Sequence, residues 1–179
     1  MTDLIEISYL NEACFLSLNE DDKKYRMCLI MSQEDLKDEL KNEFYNQIET
    51  QYDGNSLSPD NDYLYENYIK KFLAWQTYFY YLKFANVNAT PSGIREFIDE
   101  NSTIASDVKM YSLEKNIKAR AQKYLYSMIN YMKEVKDNDS TKFPLWNCTC
   151  KEYMSFSITS VDKQSDALIR VNRTIITNE

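Results

Sequence analysis

Two residue types are nearly or wholly absent from this sequence. Its 179 residues include no histidine and only two glycines, Gly54 and Gly93. Histidine is the commonest general base and a usual zinc ligand, so most acid–base enzymes and histidine-dependent metal sites are excluded. Phosphate-cradling loops need glycines close together, and these two are far apart. The sequence therefore predicts a protein that is not an enzyme and that uses no cofactor.

Long hydrophobic runs are also missing. No stretch approaches the roughly 18 apolar residues of a transmembrane helix, and the N-terminal residues are acidic, where a signal peptide is basic. We therefore expect no membrane contact, with the four cysteines as reduced thiols. Cys148 and Cys150 leave a metal half-site as an alternative, although their spacing is not C-x-x-C and no histidine completes it.

Negative charge is concentrated in the N-terminal third. The chain carries a formal net charge of −7. Residues 1–62 hold 15 acidic and 5 basic residues, whereas residues 63–179 hold 13 and 16. A chain that wraps a phosphate backbone needs clustered basic side chains, so we expect no grip on nucleic acid. The asymmetry is typical of a solvated acidic face.

The strongest periodic signal predicts a helix from about residue 59 to residue 85. Ser58 and Pro59 form a good helix start. One face then repeats at three- and four-residue steps: Leu64, Tyr68, Phe72, Trp75, Phe79 and Leu82. The second half is apolar nearly all round, which predicts burial on most sides. In a small domain, one way to bury it is against neighbouring subunits.

A second long helix is predicted from about residue 106 to residue 136. Its near-heptad seam consists of Met110, Leu113, Ile117, Ala121, Tyr124, Met128, Tyr131 and Val135. Its outer face carries Lys109, Lys115, Lys118, Arg120, Lys123, Lys133 and Lys136. The usual interpretation is a solvated helix back. The alternative is a basic surface that meets an acidic partner or the acidic N-terminal third of this chain.

The remaining segments complete the predicted fold. Short helices fill the first third, with start signals at Asn19 and Ser32 and an apolar stripe from Leu36 to Tyr52. Residues 86–93 have the composition of a loop, and residues 143–146 resemble an anchor that closes the bundle. From residue 153 the apolar period becomes two, which predicts a β-hairpin. The fold class is therefore mainly α, a bundle with two long antiparallel helices and a C-terminal hairpin, divided into domains 1–146 and 147–179.

The 15 tyrosines are suited to interfaces, because they combine large contact area with a polar tip. Trp75 and Phe79 are expected in the core. We predict that an oligomer or partner interface contains Tyr65, Tyr80, Tyr81, Phe84, Phe156, Ile158, Ile169 and Val171. Simple core filling is the competing interpretation. Stacking of single-stranded nucleic acid is another, but the acidic balance of the chain argues against it.

Several motifs in residues 30–146 together resemble a known class of virion proteins. They include Phe72-Leu73-Ala74-Trp75, Tyr80-Tyr81-Leu82-Lys83-Phe84, Thr90-Pro91-Ser92-Gly93-Ile94 and Phe143-Pro144-Leu145-Trp146. In this order they are similar to head-to-tail adaptor or ring proteins of crAss-like tailed phages that infect Bacteroidales. The resemblance implies a helical bundle that assembles into a dodecameric ring beneath the portal. The β-rich tail after Trp146 lies outside the part that matches.

The resemblance leads to a functional expectation. We expect a structural virion protein at the head–tail junction, assembled in the cytoplasm of the host bacterium. Its partners would be other copies of itself, the portal protein and neighbouring ring or tail proteins, with packaged DNA passing without sequence-specific binding. One alternative is a non-enzymatic helical binding or scaffold protein with an aromatic groove around Trp75. Another is an enzyme that uses carboxylates or a metal at Cys148 and Cys150.

Overall fold

A computed structural model describes residues 2–14, 22–84, 87–90, 93–96 and 107–147. All of them belong to one compact unit, Met1–Asn147. This part is mainly helical, as predicted. The predicted C-terminal hairpin, with Phe156, Ile158, Ile169 and Val171, lies outside the described residues. So do the helix-start signal at Asn19 and the boundary-flanking cysteines Cys148 and Cys150.

Six α-helices and one small sheet make up the described part of the chain. In order they are α1 Ile7–Cys14, α2 Asp22–Leu40, α3 Asn42–Asp53, α4 Pro59–Leu64, a π-helical turn Tyr65–Ile69, α5 Lys70–Phe84, β1 Val87–Thr90, β2 Gly93–Glu96 and α6 Asp107–Asn138. The two strands are antiparallel, with Val87 opposite Glu96 and Thr90 opposite Gly93. The segment predicted as a loop thus contains a short hairpin.

The predicted helix over residues 59–85 is confirmed as the continuous run of α4, the π-helical turn and α5. The Ser58 hydroxyl caps it, accepting a hydrogen bond from the Asn61 N–H at 3.4 Å, and Pro59 occupies the first turn. Both devices satisfy or avoid N–H groups that a helix start leaves without partners. The π-helical turn is the one departure from regular α-helix in this run.

The second long helix is also confirmed, as α6, and it is antiparallel to the first. The Phe79 ring lies near Lys118, the Tyr68 ring stacks on Tyr131 at 5.3 Å, and Asp60 pairs with Lys142 just beyond α6. Residue numbers therefore fall along the first helix as they rise along α6, which is the order expected for antiparallel helices. The predicted seam holds at Ile117, Ala121 and Met128, which are buried.

Helix α5 is covered to a large extent by its own chain, so neighbouring copies are not needed to bury most of it. That they cover its half-buried residues stays a prediction. Helices α1, α2 and α6 all pack against it. Phe72, Leu73, Ala74, Thr77, Phe79 and Tyr81 are buried, and Lys83 is the one exposed residue of α5. The apolar periphery of α5 meets three helices of one subunit, so a single chain satisfies most of the burial that its sequence demands.

Two details of the N-terminal third also differ from prediction. Ser32 does not start a helix but lies inside α2, where its hydroxyl donates to the Cys28 carbonyl at 2.9 Å and accepts from Thr77 at 3.1 Å. The apolar stripe from Leu36 to Tyr52 is divided between α2 and α3, because Lys41 has a φ of 69° and breaks the helix. Periodicity alone does not reveal such a break, since both helices keep their apolar side on the core.

The predicted anchor after α6 is confirmed. Phe143 and Trp146 are buried, and the Phe143 ring packs edge-on against Phe44 with centroids 5.7 Å apart. The Lys136 ammonium donates to the Trp146 carbonyl. The anchor therefore holds the C-terminal end of α6 against α3 and closes that end of the bundle.

Candidate functional site

The reactive side chains of the described region are held in unreactive surroundings. Cys14 and Cys28 are buried free thiols. Burial raises the pKa of Cys14 to about 12 and that of Cys28 to about 11. Because the thiolate is the nucleophile and the metal ligand, both groups are poor candidates for either role near neutral pH.

The carboxylate of Asp35 has a structural role. Asp35 accepts hydrogen bonds from the Gln76 amide at 2.7 Å and from the Tyr80 hydroxyl at 2.8 Å, which ties α2 to α5. Within residues 2–14, 22–84 and 107–147, no three acidic or cysteine side chains come together in a way that could hold a metal ion. Over the same ranges, no helix has the length and apolar character needed to cross a bilayer.

Two residues predicted at an interface lie inside the subunit. Tyr65 is 4% exposed and donates its hydroxyl proton to the Leu4 carbonyl at 2.6 Å. Burial, followed by its hydrogen bond with Tyr52, raises the pKa of Tyr65. Tyr81 is 5% exposed and packs against Tyr25 with ring centroids 4.4 Å apart. Both side chains are used by their own chain and offer a partner almost no surface.

Two other predicted interface residues keep part of their surface. Tyr80 is half-buried, with its hydroxyl on Asp35. Phe84 is half-buried and packs against the cluster of Tyr25, Cys28 and Tyr81. A role for Tyr80 and Phe84 in an interface stays a prediction, as does any role of the four predicted residues after position 150.

The aromatic surface around Trp75 is covered in part by a cation. Trp75 is half-buried rather than in the core, while Phe79 is buried as predicted. The Arg120 guanidinium lies 4.8 Å from the centre of the Trp75 ring. Such stacking shields the indole face from water, so a ligand would have to displace or share Arg120.

Among the described residues, the most exposed large apolar side chain lies at the start of α6, a position that the sequence did not single out. Tyr111 is 71% exposed and Leu113 is 40% exposed. Leu113 was predicted in the buried seam, but the seam turns inward only from Ile117. The exposed charged side chains around them are basic: Lys109, Lys115, Lys118, Arg120 and Lys123. We call residues 108–123 the basic segment. Its clustered lysines were visible in the sequence, but the exposure of its apolar residues was not.

An acidic cleft of about 480 Å³ lies near the start of α4. Its lining consists of Thr2, Tyr52, Asp53, Asn55, Leu57, Asp62, Tyr65 and Glu66. The half-buried ring of Tyr52 supplies its accessible aromatic surface and packs on the buried ring of Tyr65, with centroids 5.0 Å apart. Apart from Thr2, the lining residues belong to residues 42–69, which hold six carboxylates and no lysine or arginine. We call residues 42–69 the acidic segment.

A smaller groove of about 230 Å³ runs between α2 and α6. Asp35, Asp38 and Glu39 line one side, and Lys118 and Gln122 line the other. Lys118 is therefore the basic residue of α6 that shares a groove with acidic residues of the N-terminal third. The sequence left open whether the basic face of α6 meets the acidic N-terminal third of this chain. In this groove, Lys118 does lie near acidic residues of that third.

The described region thus defines a class, a mainly helical protein whose distinctive surfaces are an acidic end and a basic, partly apolar end. Residues 33–153 match DUF6712, a family of unknown function, and the chain belongs to that family. No curated protein and no solved structure matches the chain.

Proposed function

We propose that this chain is a structural, non-enzymatic virion protein, a head–tail connector subunit that oligomerises beneath the portal and links it to the tail. The motifs of residues 30–146 that resemble adaptor proteins of crAss-like phages support this function. In the proposed assembly, twelve copies form a ring around the DNA channel at the head–tail junction. The subunits are made and assembled in the cytoplasm of the host bacterium.

One structural observation carries the assembly part of the proposal. The first four turns of α6 leave Tyr111 and Leu113 exposed within a field of basic side chains. Aromatic side chains such as that of Tyr111 are enriched at protein–protein interfaces, whose rims are polar. The burial of most of α5 inside one chain removes the need for partners to complete the core. Assembly therefore has to use the surface of a finished subunit.

The acidic composition supports the proposed relation to DNA. Affinity for a duplex grows with the number of phosphates that lysine and arginine neutralise. A net charge of −7 gives little such affinity, so DNA could slide through a channel built from these subunits. The portal and the neighbouring ring or tail proteins are the partners in this proposal.

The test is the presence and arrangement of the protein in virions. Mass spectrometry of purified virions of the encoding phage should detect the chain in equal copy number to the portal protein. Light scattering and electron microscopy of the purified protein, alone and with portal, should show rings of about twelve times the 21.3 kDa mass of one chain. Absence from virions, or a strict monomer that fails to bind portal, would contradict the function. A one-to-one complex with a non-virion partner would favour the binding-protein alternative.

A further inference from the structure

Among the described residues, most of the basic side chains in the basic segment form no ion pair with an acidic side chain. Five basic side chains and one acidic side chain, Glu114, lie within residues 108–123. Ion pairs between described residues join Arg26 with Asp3, Lys70 with Glu66 and Lys142 with Asp60, and none uses the basic segment. Phe79 and Trp75 do contact Lys118 and Arg120 through their ring faces. The segment is therefore a charged helix face with an exposed tyrosine, and it has no described acidic partner beyond the groove at Lys118.

The acidic segment is the opposite in charge and concave in shape. Two of its six carboxylates are paired, Asp60 with Lys142 and Glu66 with Lys70. Asp53 and Asp62 are exposed and line the acidic cleft. A cleft with an accessible aromatic ring and carboxylates at its rim suits a side chain that has both an apolar body and a positive end.

Within one subunit these two surfaces lie too far apart to satisfy each other. Lys118 marks the basic segment beside Phe79, and Lys142 marks the other end of α6 beside Asp60. The basic segment ends at Lys123, and the acidic segment reaches α6 where Tyr68 stacks on Tyr131. The two positions are eight residues apart along the continuous helix, or about 12 Å at 1.5 Å per residue. Exposed charges farther apart than the Debye length of about 8 Å at physiological salt are largely screened from each other.

We propose that the basic segment of one copy docks onto the acidic segment of the next copy, in a head-to-tail contact. This inference rests on the proposed function and names the surfaces through which its subunits join. Tyr111 supplies the apolar contact, with Lys115 one turn further along the same face of α6. Lys115 and Lys123 meet Asp53 and Asp62 around it. Because the two surfaces differ, the contact is heterologous. When the same contact is repeated from copy to copy, it gives a closed ring if the rotations between successive copies add up to a full turn. Charge complementarity would set its orientation and register.

The test uses charge reversal and rescue. In the first variant, Lys115→Glu and Lys123→Glu make the basic segment negative. In the second, Asp53→Lys and Asp62→Lys make the cleft rim positive. Each variant alone then has two surfaces of like charge, so we expect each to be monomeric at low ionic strength, where wild type is oligomeric. An equal mixture should regain the wild-type mass, because the contacts between the two variants are complementary.

Two controls separate this contact from general effects. A variant with Lys71→Glu and Lys133→Glu makes the same change in net charge as the first variant but lies outside the basic segment, and it should keep the wild-type mass. Circular dichroism should show that all variants are folded. Sedimentation velocity gives the masses.

Each outcome decides the proposal. A wild-type protein that is monomeric at low ionic strength would overturn it. So would variants that keep the wild-type mass, or folded monomeric variants that do not reassociate on mixing. If the contact fails but virions contain the protein beside the portal, the proposed function stands with another interface. If the contact is found but virions lack the protein, the assembly stands and the virion function falls.

Discussion

The two halves of α6 share one helix but lie in different surroundings. In the C-terminal half, Met128, Ile129 and Met132 are buried, and the anchor after the helix packs back on it. Among the side chains described from residue 109 to residue 122, Ile117 and Ala121 are buried, while Tyr111 and Leu113 face water. An apolar period of three and four runs through both halves. The comparison teaches that such a period marks a helix face but not what covers it.

The same difference separates two energetic roles. The C-terminal half and its anchor contribute to the stability of the subunit, because Met128, Ile129, Met132, Phe143 and Trp146 are buried there. The exposed side chains of the N-terminal half contribute little to the free energy of unfolding. They remain available for contact with another molecule. Substitutions in the two halves should therefore affect different measurements.

The largest expected effect is at the anchor. Trp146→Ala removes a side chain that is 2% exposed, and we expect a loss of about 3–5 kcal/mol in the free energy of unfolding. Leu145→Ala is the matched control. Leu145 is next to Trp146 in sequence but is 40% exposed, so its replacement should lower the free energy of unfolding by less than about 1 kcal/mol. Urea denaturation followed by circular dichroism measures both. Equal losses would show that the anchor is not packed as described.

A second pair of variants compares two positions one turn apart in the N-terminal half. Ile117 is 2% exposed, so Ile117→Ala should cost about 2–4 kcal/mol. Leu113→Ala should change the free energy of unfolding by less than about 0.5 kcal/mol, as expected for a surface site. The same urea experiment applies, under high salt so that only the monomer is measured. A large loss at Leu113 would mean that the buried seam extends to the start of the helix.

The smallest effect on stability is expected at Tyr111. Its ring is the most exposed large apolar side chain of the described region, so Tyr111→Ser should leave the free energy of unfolding within about 0.5 kcal/mol of wild type. The same substitution should weaken self-association, because exposed tyrosines often dominate interface energetics. Thermal melts and sedimentation together distinguish the two effects. Unchanged self-association would remove Tyr111 from the proposed contact.

Much of the fold could be predicted from local sequence. The two long helices follow from apolar periodicity, the start of α4 follows from Ser58 and Pro59, and the anchor follows from its aromatic pair. The break at Lys41 could not be predicted, because a lysine with positive φ carries no sequence signal. The environment of α5 could not be predicted either. Its apolar periphery demands burial, but the sequence does not say whether α1, α2 and α6 or other subunits provide it.

The sequence predicts the charge of the candidate surfaces but not their positions on the subunit. Charge clustering along residues 42–69 and 108–123 can be counted directly. Their positions at opposite ends of the subunit require the antiparallel pairing of the long helices. Tyr65 and Tyr81 were expected at an interface because tyrosine suits both interface and core, and composition does not distinguish the two. Their hydroxyl and ring contacts within the subunit, to Leu4 and Tyr25, depend on the tertiary structure.

The most direct test of the complementary ends is the mass of the wild-type protein as a function of ionic strength. Sedimentation at one protein concentration should show an oligomer at low salt. That oligomer should dissociate toward the 21.3 kDa monomer as the Debye length shrinks to about 3 Å near 1 M salt. A monomer at every ionic strength, or an oligomer whose mass does not respond to salt, would contradict the account.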